Sequence, residues 1–486
     1  MIFNSIDFAI FLPIVFVLYW FVANKSLKLQ NILLLAASYF FYACWDWRFL
    51  FLLMFSTLLD YFTGLKMCQS NSVRGRTCWF WLSVVVNLGF LGIFKYYNFF
   101  AESFADFVGL FGFVVHPATI KIILPVGISF YTFHGLSYVI DIYKKRIKAE
   151  RNFVDYAVFV SFFPLLVAGP IERATHLLPQ IKRERKFEYS NAVDGLRQIL
   201  WGLFKKAVVA DNCAVFVNKV FDNPEAYSGS FLLLGALFFA IQIYCDFSGY
   251  SDIALGTARL FGIELLRNFA FPYFSRDIAE FWRRWHISLT TWFRDYLYIP
   301  LGGSRGGTWM KIRNTFIIFL VSGFWHGANW TFIVWGALNA LYFIPLMLTN
   351  TNRNNIETVA QGKIFPSLYE LWSMLSTFTL VLIGWIFFRA ESITHAWTYI
   401  TGIFSFSSAF FNIYGDFYGD VVQVALTMVW ILFFLIIEWV GREQKYALEK
   451  FGFGWYRIYR KGFYYLLIFL IFLFSTTGQE FIYFQF

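Results

Sequence analysis

His326 stands in the run Ser322-Gly323-Phe324-Trp325-His326-Gly327-Ala328-Asn329-Trp330, with apolar residues on both sides. A neutral imidazole in such surroundings can take a proton from a hydroxyl nucleophile. A low dielectric holds its own pKa down, so it stays a base. The flanking glycines let backbone or substrate approach closely. The same ring can equally serve as a histidine bonded to a neighbouring helix. Where an oxyanion forms beside it, Asn329 and the indoles of Trp325 and Trp330 are the candidate donors.

A second concentration of chemistry runs from Asn268 to Arg305. Within it, Glu280-Phe281-Trp282-Arg283-Arg284-Trp285-His286 interleaves arginines with tryptophans. Their i, i+3 and i+4 spacing predicts a helix with one cationic and one aromatic face. Arg283 and Arg284, flanked by Trp282 and Trp285, can hold the phosphates of a nucleotide-bearing acyl donor while apolar groups receive the acyl chain. Alternatively, an interfacial helix can use the same arginines on anionic lipid headgroups. Beside two arginines, His286 is expected to have a lowered proton affinity.

The stretch Tyr244-Cys245-Asp246-Phe247-Ser248-Gly249-Tyr250-Ser251-Asp252 closes an apolar run with two carboxylates and two serines. An oxygen-ligand cation loop needs more carboxylates than this, so no metal is expected. Asp246, Ser248 and Asp252 are expected to bond neighbouring helices or to orient a catalytic group. Last come Phe481-Ile482-Tyr483-Phe484-Gln485-Phe486. Such a tail can be an aromatic anchor at a membrane boundary, or Tyr483 can be a hydroxyl that folds back to receive an acyl group.

The elements that must carry these residues follow from composition. Of 486 residues, 59% are apolar, 23% aromatic and only 14% charged. A soluble domain runs near ~45–50% apolar and ~25% charged, so no soluble core can hide this excess. A soluble enzyme, a disordered chain and a disulfide scaffold are excluded. The formal net charge of +10 comes from short basic stretches between apolar runs. That pattern matches cytoplasmic membrane loops rather than a nucleic-acid face.

A helical span needs ~20 apolar residues. Candidate runs are 6–23, 31–44, 49–65, 79–94, 120–142, 231–255, 313–328, 330–348, 369–388, 421–440 and 463–475. Lys144, Lys145, Arg146, Lys148 and Arg151 mark a cytoplasmic loop, and so do the six basic residues of 441–461. The run 153–168 has basic stretches on both sides and reads as re-entrant, while Lys205 and Lys206 make 196–217 a poor span. Residues 256–312, with seven arginines, read as an amphipathic cytoplasmic segment. The expected fold is all-α: one polytopic transmembrane bundle over residues 1–486 with about 11–12 crossings, re-entrant and amphipathic cytoplasmic helices, and both termini outside. The first run is expected to be retained as a span, because no basic residue precedes it.

Counted at ~1.5 Å per residue, His326 lies ~20 Å along its run from Arg313, past the middle of the hydrocarbon. An ionisable group at that depth costs at least ~2.5–3.5 kcal/mol on insertion scales. His134, also within a run, can line a polar passage or be a satisfied core histidine. His116, His176 and His395 fall in loops.

The sequence resembles the membrane-bound O-acyltransferase family, and more closely its bacterial branch that O-acetylates alginate and peptidoglycan. The stretches that carry the resemblance are Ser38 to Arg48, Pro125 to Phe133, Ser137 to Asp141, Ala168 to Arg173, Tyr244 to Asp252, Glu280 to Gly303 and Phe324 to Gly327. It implies that His326 is the family's membrane-embedded histidine and His286 its other recurrent polar position. It also implies a cytoplasmic funnel for the donor, acetyl-CoA or another acyl thioester, and an outer funnel for the acceptor. The tail matches the branch's Phe-x-Tyr-x-x-Phe motif, which implies that Tyr483 accepts the acyl group. A periplasmic SGNH-type O-acetyltransferase is the implied partner, a cell-envelope polysaccharide the final acceptor, and the bacterial inner membrane the location. Within the family, D-alanyl transfer to teichoic acid is the competing expectation. Outside it, the competitor is a transporter or flippase with His326 as a proton relay.

Overall fold

The computed structural model describes residues 1–120, 123–405, 418–475 and 481–482. All regular structure among them is helical. The chain divides into two compact units, one of Met1–Ala192 with Thr257–Leu266, the other of Val193–Gly256 with Arg267–Phe486.

The first unit opens with α1 (Ile6–Val17), α2 (Leu27–Ala43) and α3 (Trp47–Gln69), capped by the side chains of Ser5, Ser26 and Asp46. Each cap satisfies a backbone N–H that the first turn leaves open. Next, α4 (Val73–Leu91) passes through a π-helical turn into α5 (Tyr97–Gly109). α6 (Ile128–Tyr143) is buried along nearly its whole length and packs on α3 and α4. The buried carboxylate of Asp60 on α3 accepts from Ser83 Oγ at 2.6 Å and Asn87 Nδ2 at 2.8 Å on α4. α7 (Phe153–Ser161) covers only part of the run expected to be re-entrant; the chain then continues as buried, irregular backbone to α8 (Ala174–Ile181). Irregular backbone is tolerated at membrane depth only where protein surrounds it. His134 takes the core role: its Nε2 accepts the Glu172 backbone N–H at 3.1 Å.

The chain goes on through α9 (Tyr189–Leu203), a π-helical turn over Phe204–Ala210 and α10 (Asp211–Asp222). α11 (Gly229–Leu260) is the longest helix described. The single helix expected around Trp282–Trp285 does not form. α12 (Ile278–Arg284) and α13 (Ile287–Phe293) are separate short helices. Between them Trp285 is extended and His286 is left-handed at φ 43°, ψ 53°, a conformation that costs a residue with a Cβ ~1 kcal/mol or more. The break has a compensation: Ala270 N–H bonds Arg284 C=O and Ile287 N–H bonds Asn268 C=O, clamping the turn to the preceding strand-like segment.

α14 (Thr308–His326) and α15 (Trp330–Leu348) form a tight antiparallel pair. A Cβ at Gly323 would overlap the Phe332 carbonyl oxygen, and one at Gly336 the Phe319 carbonyl oxygen, so only glycine lets these backbones come so close. α16 (Leu368–Arg389) starts with a Ser367/Glu370 capping box; α17 (Ile393–Ile403), α18 (Tyr418–Gly441) and α19 (Arg457–Phe474) complete the chain. Trp285, Trp335 and Trp385 are fully buried and stack in the core of this unit.

Among the described residues, seven helical segments are long and apolar enough to cross a membrane: 6–25, 47–69, 73–109, 229–260, 330–348, 368–389 and 421–441. Further expected crossings fall on α2, α6, α14 and α19, which are shorter or more polar.

Candidate functional site

Every described candidate residue lies in the second unit. His326 is the last residue of α14, where Gly327 ends the helix in an extended conformation. The ring is buried, 4% exposed, in an aromatic cage. Its centroid is 4.9 Å from Trp325, 5.2 Å from Trp335 and 5.3 Å from Phe388. Trp335 and Phe388 stand edge to face with it, which fixes the imidazole plane. Gly327 is needed here because a Cβ would overlap the Phe332 ring.

Below His326 the same helix lines a cavity of about 630 Å³, within the range of small-molecule sites. The cavity is bounded by α12, α13, α14 and α15 and has two chemical zones. Arg283, Arg294, Lys311 and Arg353 give one part four cations, and no carboxylate is among its described lining residues. Trp282, Ile318, Phe319 and Phe343, with the hydroxyls of Thr315 and Ser322, form the other. Ser322 is one helical turn from His326, so the lining climbs α14 for ~16 Å from Lys311 and ends ~6 Å short of the imidazole.

The structure separates the four expected donor-side residues. Trp282 and Arg283 line the cavity. Arg283 Nη1 and Nη2 donate to the carbonyls of Asn352 and Asn355 at 2.7 and 2.8 Å, and burial lowers its pKa from the ordinary value. Arg284 points elsewhere. It ion-pairs with the buried carboxylate of Glu280 at 2.8 Å, which also holds Arg276 at 3.1 Å. Trp285 is stacked in the core on Phe281, Tyr273 and Trp385, away from the cavity. The reason is the chain break: a residue after the last turn of α12 no longer follows the helical period.

His286 is 1% exposed, with Nδ1 2.9 Å from Asn268 Oδ1. Its ring is 4.7 Å from Phe247 and 6.1 Å from Trp325, so Trp325 touches both His286 and His326. Its pKa is pushed down to about 3, and the cause is burial, not the two arginines that the sequence suggested. It is a neutral ring at physiological pH.

Asn329 caps α15 by accepting from Thr331 N–H at 3.0 Å, and its Nδ2 donates to the Glu391 carbonyl at 2.8 Å. That leaves its amide engaged in holding the α14–α15 turn. Trp330 is largely exposed, whereas Trp325 is buried beside His326.

The Tyr244–Asp252 stretch lies along α11. Ser248 Oγ accepts from Lys205 Nζ at 2.9 Å, and Asp252 binds Lys205 at 2.6 Å and Gln198 at 2.8 Å. Asp246 meets Lys206 at 2.8 Å and accepts the Ile482 N–H at 2.8 Å. From the sequence Lys205 and Lys206 stood out only as interruptions of a span, and Asp211 and Glu438 not at all. All four are buried, and Glu438 accepts from Tyr244 Oη at 2.6 Å and Trp201 Nε1 at 3.1 Å. A signal existed: buried charges in a membrane bundle need opposite or hydrogen-bonding partners, and these lysines and acids sit in otherwise apolar runs.

Tyr483 lies outside the described residues. Its neighbours Phe481 and Ile482 are buried, with Phe481 4.9 Å from Tyr250 and 6.4 Å from Phe247. Among the described residues no group of three or more His, Cys, Asp or Glu side chains gathers as a metal site.

The model of the membrane-bound O-acyltransferase family matches residues 144–379. A probable alginate O-acetylase of Azotobacter vinelandii is 39% identical over 461 residues, covering 93% of this chain and 87% of its own. A peptidoglycan O-acetyltransferase of Helicobacter pylori is 32% identical over 517 residues, covering 98% and 95%. A teichoic acid D-alanyltransferase of Bacillus subtilis is 29% identical over 227 residues, covering 44% and 57%.

Proposed function

This chain belongs to the membrane-bound O-acyltransferase family and is a multi-pass membrane O-acyltransferase, and from that premise we propose that it moves an acetyl group across the bacterial inner membrane for O-acetylation of a cell-envelope polysaccharide. The observation that carries this reading is the cavity on α14, cationic in one zone and apolar in the other, ending a turn below His326. A phosphate-bearing thioester has that polarity: anionic groups for Arg283, Arg294, Lys311 and Arg353, and a slender acyl arm for the zone past Trp282 and Phe319. Acetyl-CoA is the proposed donor.

His326 is the proposed general base. It takes the proton of a hydroxyl as the hydroxyl oxygen attacks the thioester carbonyl; the C–S bond then breaks, and the thiolate leaves with a proton returned from the imidazolium. The aromatic cage suits this role, because it holds the ring in one orientation and keeps water from competing. The proposed acceptor is Tyr483, supported by the burial of Phe481 and Ile482 immediately before it. Acetyl-tyrosine is an aryl ester, so onward transfer to a serine of a periplasmic SGNH-type partner runs downhill, and that partner delivers the group to the polysaccharide. Both termini are placed outside the cytoplasm in this scheme.

Alginate and peptidoglycan are the acceptors named for relatives that align along most of this chain. The D-alanyltransferase aligns over less than half of it, which gives D-alanyl transfer weaker support. A transporter could use His326 as a proton relay, but the O-acyltransferase relatives that align along most of the chain favour chemistry.

The test is acetyl transfer by the purified, membrane-reconstituted protein given acetyl-labelled CoA. His326→Ala is expected to lose ~10²–10⁴ in turnover, and Tyr483→Phe to lose the acetyl adduct seen in the intact mass. Unchanged donor cleavage in His326→Ala would remove the base; an adduct that survives Tyr483→Phe would remove the relay.

A further inference from the structure

The strongest unexplained feature is a buried cluster of three charges that ends on the C-terminal tail. Lys206 lies in the π-helical turn between α9 and α10 and is 6% exposed. Its Nζ is 2.9 Å from Asp211 Oδ1 and 2.8 Å from Asp246 Oδ1. Both carboxylates are 2% exposed. One ammonium and two carboxylates leave the cluster short of one positive charge, and a buried carboxylate is costly unless its lone pairs find donors. The second oxygen of Asp246 finds one in the Ile482 backbone N–H at 2.8 Å. Phe481, 2% exposed, covers it from one side against Tyr250 and Phe247. Phe247 in turn packs edge to face on His286.

We infer that Lys206, Asp211 and Asp246 form a clamp that seats the C-terminal tail, with Asp246 holding Ile482 by its backbone while the Phe481 ring fixes the register. A backbone bond suits a clamp of this kind, because it sets where the chain runs without depending on the side chain at that position. The π-helical turn is part of the device: it adds one residue to the helix and turns Lys205 and Lys206 toward separate carboxylates, Asp252 and Asp246. Asp246 is thus a positioning residue. It touches neither the donor cavity nor the reacting atoms, and its role in the reaction rests on the proposed acceptance of the acyl group by Tyr483.

Two readouts on the full-length protein test this. The first is digestion with a carboxypeptidase, followed by intact mass. The wild-type tail is expected to resist trimming beyond Ile482, whereas Asp246→Ala and Asp246→Leu, which remove the acceptor, are expected to lose Phe481 as well. The second is acetylation kinetics with acetyl-CoA. Asp246→Ala is expected to lower kcat about ten- to a hundredfold, the range of one hydrogen bond to a charged acceptor, with KM for the donor unchanged and partial rescue by Asp246→Asn, whose side-chain oxygen still accepts. Equal trimming of wild type, Asp246→Ala and Asp246→Leu would overturn the clamp. So would a donor KM that rises with kcat fixed. Tyr483→Phe separates the two ideas: protected from trimming but inactive, it supports both; protected and fully active, it ends the acyl relay and leaves the clamp as the seat of a structural tail.

Discussion

Arg283 and Arg284 are adjacent in sequence, yet the fold assigns them opposite tasks, and substituting each by alanine makes the difference measurable. Arg283 lines the cavity proposed for the donor and spends two of its five N–H donors on the Asn352 and Asn355 carbonyls, so others remain for a phosphate. It is only partly buried. Its bond to a donor phosphate therefore falls between the ~0.2–1 kcal/mol of a solvated ion pair and the ~1.5–3 kcal/mol of a buried charged hydrogen bond. About 1.4 kcal/mol is a tenfold change. Arg283→Ala should raise KM for the donor ~10-fold with kcat within about twofold, because His326 sits beyond the far end of the cavity. Arg283→Lys, which keeps the charge and loses the fork, should fall between. Arg284→Ala should leave KM alone and lower thermal stability by ~1–3 kcal/mol, since it strips a partner from the buried Glu280. Raising salt should weaken donor binding in the wild type more than in Arg283→Ala. The assay is a donor titration in reconstituted vesicles with melting of the same preparations. If Arg284→Ala raises KM and Arg283→Ala does not, the donor does not occupy this cavity.

Further outcomes follow from other contacts. Lys205→Met should destabilise the protein by ~1–3 kcal/mol, because it takes the charged partner from the partly buried Asp252 carboxylate and leaves it Gln198 alone; Lys205→Met with Asp252→Leu should recover much of that loss in melting temperature. Gly323→Val should cost ~1–3 kcal/mol and abolish transfer together, since the added side chain pushes α14 off the α15 backbone one turn below His326; melting and turnover on one sample check it. The His176 pKa is raised by its hydrogen bond to Glu172, with burial opposing. The pair's stabilisation is therefore complete below the unfolded value near ~6.5 and is lost as pH rises through the higher folded value. Melting between pH 6 and 9 should show a wild-type decline that His176→Gln lacks.

Much of this protein was readable from residue types and periods. Its apolar excess and basic loops required a polytopic helical bundle, and a helical rise counted from Arg313 put His326 at the far end of its run, where α14 ends. The basic stretches on both flanks of 153–168 argued against a full helical crossing there, and α7 covers only nine residues of that run. These properties are local, set by composition, period and rise per residue.

Other features came only from tertiary contacts. The i, i+3, i+4 pattern called for one helix through Trp285 and His286, but backbone bonds from Asn268 and Ala270 stabilise a left-handed break there, and the break turns Trp285 into the core, while inside α12 Arg283 lines the cavity and Arg284 meets Glu280 one turn back. Lys206 looked like an interruption of a span until Asp246, forty residues on, and Ile482, far beyond it, were brought to the same buried point. The reason is physical. An isolated charge in an apolar run is costly, and its sign and position say that a partner must exist, yet which partner depends on how distant helices pack. Hydrophobic pattern therefore dictated which segments are apolar enough to span and where along its helix His326 falls, while packing alone chose which buried charges meet one another.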